Sequence, residues 1–123
     1  MSPLVFFSIE DGALTISSGD TDGAWTGFPD GMSVLELHLD SDGSSAFVLL
    51  DAPIGGGRVS NLVRISSAAE IMWRGELPEA GPTDAFVSLQ IDVDGAVLAS
   101  TWSGYRVRLD PASGQLLSEV FTK

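Results

Sequence analysis

The chain has no cysteine, a single histidine, and no lysine or arginine anywhere before Arg58. Without cysteine there can be no disulfide framework and no thiolate metal site, which fits a reducing compartment and gives a cytoplasmic expectation. One histidine, His38, cannot build the multi-histidine zinc sites used for hydrolysis. There is no Gly-x-Ser-x-Gly elbow to support a Ser-His-Asp site on it, so no catalytic centre is expected. Gly55-Gly56-Gly57 has no following Lys-Ser/Thr, which argues against nucleotide binding, and no cofactor is expected. No apolar run approaches the roughly 20 residues of a membrane-spanning helix. The opening stretch, Met1 to Ile9, lacks a basic segment and reads as a first strand.

Turn chemistry is abundant instead. Five Asp-Gly pairs, at Asp11-Gly12, Asp22-Gly23, Asp30-Gly31, Asp42-Gly43 and Asp94-Gly95, punctuate the 123 residues. Asp-Gly readily takes the positive φ of a tight hairpin turn, so the chain is expected to be a string of β-hairpins. With 44% apolar residues and this length, a single all-β domain over residues 1–123 is expected, with about ten short antiparallel strands.

Two stretches superimpose. Leu35-Glu36-Leu37-His38-Leu39-Asp40-Ser41-Asp42-Gly43 matches Val87-Ser88-Leu89-Gln90-Ile91-Asp92-Val93-Asp94-Gly95, apolar at every second position before an Asp-x-Asp-Gly turn. A further apolar run and a second hairpin follow each. The period is about 50 residues with four short strands per copy, the dimensions of a propeller blade. Asp94-Gly95, Gly104-Tyr105, Leu109-Asp110 and Ser113-Gly114 in the second copy, with Trp73 near a strand end in the first, resemble quinoprotein-type β-propeller blades. The resemblance implies blade-like four-stranded repeats and says nothing of the family's cofactor. The expected organisation is an N-terminal hairpin at 4–17, repeat one at 34–74 and repeat two at 86–121, arranged as a sandwich, barrel or partial propeller. Ser17 to Met32 and Asp51 to Gly57 are expected to be loops.

Asp-x-Asp-Gly also occurs at Asp20-Asp22, and paired acids raise the question of calcium. An EF-hand loop needs a third acid two residues earlier, where Ser18, His38 and Gln90 stand, so these acids are expected to shape turns and no metal site is expected. Arg106 and Arg108, two apart on one strand, and Arg64 at the place matching Arg108, are expected to pair across strands with acids.

The net charge of −11 is lopsided, with nine acids and no base before Arg58. Such a field repels nucleic acid and anionic lipid and steers basic proteins. The expected function is a non-catalytic protein-interaction module, of the kind a small acidic immunity or inhibitor protein represents, binding a basic partner. Asp20, Asp22, Asp30, Glu36, Asp40 and Asp42 would set the charge complementarity, with Trp25 and Phe28 as the apolar anchor. The alternatives are a lectin-like carbohydrate-binding protein using its aromatics and a homo-oligomer in which blade pairs complete a ring.

Overall fold

A computed structural model describes residues 5–18, 24–53 and 55–122. Among these described residues twelve strands form three sheets. The first is β1 (Val5–Glu10), β2 (Ala13–Ser18) and β3 (Ala24–Gly27), in that order. The second, ordered β4-β5-β7-β8, uses β4 (Val34–Leu39), β5 (Ser45–Leu50), β7 (Leu62–Ser66) and β8 (Ile71–Arg74). The third uses β9 (Asp84–Ile91), β10 (Val97–Thr101), β11 (Tyr105–Leu109) and β12 (Leu116–Phe121), and the two-residue β6 (Arg58–Val59) adds parallel to β9. We call these blades one, two and three.

The Asp-Gly pairs close hairpins in two ways. At Asp11-Gly12 both residues have positive φ (51° and 80°) and Glu10 faces Ala13, the geometry of a two-residue turn that matches strand twist. At Asp42-Gly43 and Asp94-Gly95 only the glycine is left-handed, and its amide donates back to the carbonyl of the first acid, Asp40 or Asp92, at 2.9 and 3.0 Å. The Asx chemistry of the same acids tightens these turns: Asp92 Oδ1 accepts from the amides of Asp94 and Ala96, and Asp42 Oδ1 from the amide and hydroxyl of Ser44. Asp42 is held below the usual carboxylate range by those Ser44 bonds.

Blade two is sandwiched, and its sequence shows why. Strand β5, Ser-Ala-Phe-Val-Leu-Leu, is buried at all six positions. Ala46, Val48 and Leu50 join Leu14 and Ile16 of blade one in one core, while Phe47 and Leu49 join Phe86, Leu89, Val97, Val107 and Leu109 of blade three in another. A continuous apolar run suits a strand covered on both faces. Burying Phe47, Val48, Leu49 and Leu50 contributes on the order of 6–12 kcal/mol before entropy is counted. Strand β10 has the opposite pattern, with Val97, Ala99 and Thr101 buried and Leu98 and Ser100 partly open. The outward face of blade three therefore carries Gln90, Ser100, Arg106, Arg108 and Ser118 around Leu98 and Val120. That of blade one carries Ser8, Glu10, Thr15, Ser17 and Thr26 beside Phe6, with Thr15 and Thr26 sharing a hydroxyl hydrogen bond of 3.2 Å.

Two elements differ from the sequence expectation. Ala24-Trp25-Thr26-Gly27, inside the expected loop 17–32, is the third strand of blade one; a glycine-rich setting hides a run that pairs with β2 from Ser17↔Ala24 to Leu14↔Gly27. The β6–β9 pair is parallel, because β6 lies in the connection between β5 and β7 and meets β9 side by side at Arg58↔Asp84 and Val59↔Ala85.

Candidate functional site

The structure gives the acids expected to act together different partners. Asp20 and Asp22 lie outside the described residues. Asp30, in a 3-10 turn at Pro29–Gly31, receives two hydrogen bonds from the Arg74 guanidinium on β8, at 2.9 and 2.8 Å. That bond, with the adjacent positive charge, holds the Asp30 carboxyl below its usual range. Asp40 pairs with Arg64 at 2.5 Å, and the same guanidinium bonds the Ser45 hydroxyl and the Pro111 carbonyl. Glu36 reaches from β4 to blade three, accepting the Leu89 amide at 3.2 Å. Asp42 is engaged by Ser44 at the β4–β5 turn. Trp25 and Phe28 remain accessible, at 39% and 52%. Folding thus returns the arginines of the later segment to the acids of the earlier one, and Asp30, Glu36 and Asp40 serve as internal ties. The cross-strand pairing expected for the arginines holds for Arg64 and for Arg108, which pairs with Asp92 at 3.4 Å.

Among the described residues no group of three or more His, Asp or Glu is placed to hold a metal ion. His38 is half-buried in β4, opposite Phe47.

A different place gathers accessible apolar surface. A cleft of about 200 Å³ opens at the seam of blades two and three, at the end of β4 and β5 remote from the Asp40–Gly43 turn. Its walls include Leu35, Pro53, Val87 and Trp102, and Leu35, Val87 and Trp102 are each more than half exposed. Val87 sits where the β9–β10 register shifts, so that Ser100 faces Ser88 and Thr101 faces Phe86 and the bulge turns Val87 outward.

The floor is polar and fully satisfied. Asn61, 1% exposed, donates through Nδ2 to the carbonyls of Leu50 (2.7 Å) and Phe86 (2.8 Å) and accepts the Phe86 amide at 2.7 Å, clamping blade two to blade three. Asp84, also 1% exposed, accepts at Oδ1 from the amides of Ala85 and Ser103 and at Oδ2 from the Ser103 hydroxyl at 2.7 Å. Asp51 stands exposed at the rim. No base is found among the lining residues described. Asn61, Asp84 and Trp102 are not among the site residues expected from the sequence. The one available signal was a polar residue directly before an apolar run, at Asn61-Leu62-Val63 and Asp84-Ala85-Phe86.

The same seam is fastened at its other end. The Trp73 indole donates to the Pro111 carbonyl at 2.8 Å and lies against Gly114, where an added Cβ would stand 2.5 Å from the ring. The tryptophan of β8 in blade two thus rests on the turn glycine of blade three.

Residues 36–121 match the model of a family described as a domain of unknown function, DUF7957. The chain belongs to this family. No curated protein matches it. Among solved structures it is similar to BamB from Moraxella catarrhalis, a β-propeller, at 15% identity and a TM-score of 0.51; the likeness covers 100% of this chain and 38% of that one. The fold is therefore a stack of three propeller-type blades with no closed barrel. No helix among the described residues is long and apolar enough to cross a membrane.

Proposed function

We propose that this DUF7957 domain is a non-catalytic protein-interaction module that docks a basic partner at the cleft between blades two and three. The observation that carries the reading is the convergence of Leu35, Val87 and Trp102, more than half exposed, beside the carboxylate of Asp51 on a seam held rigidly by Asn61. Apolar anchors rimmed by charge are the composition of an interaction hot spot. The net charge of −11 steers a basic protein toward it from a distance. The narrower form, an immunity or inhibitor protein covering a basic toxin or nuclease, rests on that charge alone, as does cytoplasmic placement on the lack of cysteine. Assembly of blade pairs into a ring has less support, since the outward faces carry mainly Ser, Thr, Gln, Glu and Arg where the inner seams are apolar.

Site-specific photo-crosslinking in the cells that make the protein tests this directly. A benzophenone side chain placed at Val87 is expected to give a discrete adduct with a basic protein, while the same group at Phe6, on the outward face of blade one, gives none. Equal adducts at both positions, or none at Val87, would remove the reading.

A further inference from the structure

We infer that the cleft receives an arginine side chain of the partner; the inference rests on the docking proposal above and gives it a chemistry. Two carboxylates, Asp51 and Asp84, belong to this cleft, and among the described residues no basic side chain lines it beside them. Asp30, Asp40 and Asp92 each hold a guanidinium from within the fold. Asp51 and Asp84 hold none: no ion pair to either exists among the described residues. The nearest candidate, Arg58, is the register partner of Asp84 across the β6–β9 pair, yet its guanidinium is turned to the carbonyls of Pro78 (2.9 Å), Gly81 (3.3 Å) and Leu77 (3.5 Å).

Asp84 has its oxygens satisfied by the Ala85 and Ser103 amides and the Ser103 hydroxyl, all neutral donors. Hydrogen bonds keep it buried without cancelling its charge, and a charge under a poorly hydrated floor projects its field into the cavity above it. Asp51, exposed at the rim, is the group that can make a direct bond. A ligand that satisfies both needs a cationic head and an apolar stem.

Arginine fits better than lysine. Its three-methylene stem can lie along Leu35 and Val87, and its weakly hydrated planar guanidinium loses less on entering a half-apolar cleft than a compact ammonium does. The fork also pairs with the Asp51 carboxylate through two parallel bonds. An anionic ligand is repelled, and a purely aliphatic one leaves the two negative charges uncompensated.

The test is an amide chemical-shift titration of the full chain with three blocked peptides: acetyl-Gly-Arg-Gly-amide, its lysine analogue and its leucine analogue. The arginine peptide is expected to move the Leu35, Val87, Gly57 and Trp102 indole signals along one saturable curve. The lysine peptide should bind more weakly and the leucine peptide should leave these signals in place. Asp51→Asn, an exposed change that leaves the core intact, should weaken the arginine peptide about tenfold, the equivalent of losing one charge-assisted hydrogen bond. Equal binding of the leucine peptide, indifference to Asp51→Asn, or shifts scattered over the acidic surface would overturn the inference. If any of these occurred while crosslinking at Val87 still succeeded, the docking reading would stand and the arginine assignment alone would fall.

Discussion

Gly114 offers the sharpest test of how the blades are joined. It has a φ of +76°, and a Cβ built on it would lie 2.5 Å from Cε3 and 2.7 Å from Cδ2 of Trp73. Gly43, in the β4–β5 turn, has nearly the same φ of +74° with nothing within 4 Å of the added atom. Alanine at either site meets the same backbone penalty, about 1–2 kcal/mol for a left-handed L-residue. Only Gly114→Ala must also displace the indole, which is 8% exposed and tied to Pro111, and overpacking of that kind costs about 1–3 kcal/mol more. Gly114→Ala should therefore lower stability by about 2–5 kcal/mol and Gly43→Ala by about 1–2 kcal/mol, with the difference assigned to the ring. Urea denaturation followed by far-ultraviolet circular dichroism reads both, provided the slope m is unchanged. In a Trp73→Leu background the excess cost of Gly114→Ala should shrink toward that of Gly43→Ala, and the cycle isolates the contact. Equal losses for the two glycines, or an excess that survives removal of the indole, would refute the interlock.

The two ion pairs that the repeat places at matching positions should differ in worth. Arg64 and Asp40 are 16% and 21% exposed and Arg64 also bonds Ser45 and Pro111, so Arg64→Met should cost about 2–4 kcal/mol. Arg108, 45% exposed, should cost under about 1 kcal/mol when changed in the same way, and denaturation midpoints of both variants check this. Asn61→Leu removes the side-chain bonds to the Phe86 amide and to the Leu50 and Phe86 carbonyls and should cost about 3 kcal/mol or more in the same assay. Asp30 is depressed below its ordinary 3.8 by Arg74, so its contribution is fully present above that value and is lost as pH falls through the lower folded-state pKa. Asp30→Asn should flatten the dependence of stability on pH below about 4, and an unchanged acid limb would show that the pair contributes nothing.

Much of the fold was legible because its signals are local. Asp11-Gly12, Asp42-Gly43 and Asp94-Gly95 encode their turns in two adjacent residues, and the alternation of Leu35 to Leu39 and of Leu89 to Ile91 encodes strands with a period of two. Strand β3 escaped because its four residues, the last of them Gly27, show no alternation, and β6 because a two-residue pair is specified by its neighbour in space. The site was less legible for a related reason. The base-free stretch before Arg58 is asymmetric along the chain, yet Arg64 and Arg74 return to Asp40 and Asp30 when blade two folds. Asn61 and Asp84 act on main-chain groups and hydroxyls brought to them by distant strands, so no spacing announces them.

The position of the cleft follows from how the seam is closed. Two stacked sheets bury their apolar faces readily, but the strand ends leave main-chain groups that need partners where water is excluded. At the turn between β11 and β12 the partners of the Pro111 carbonyl are Arg64 and the Trp73 indole, both reaching it from the neighbouring blade. At the opposite end Asn61 bonds Leu50 and Phe86 while Asp84 gathers Ser103. With Phe47, Leu49, Phe86 and Leu109 packed between these two fastenings, sliding one blade against the other would break a close-packed core. The walls contributed by blade two, Leu35 and Asp51, are thereby held at fixed separation from Val87 and Trp102 of blade three. A cleft whose halves come from separate blades is pre-organised to the degree that its seam is rigid, and a partner that enters it incurs little ordering cost.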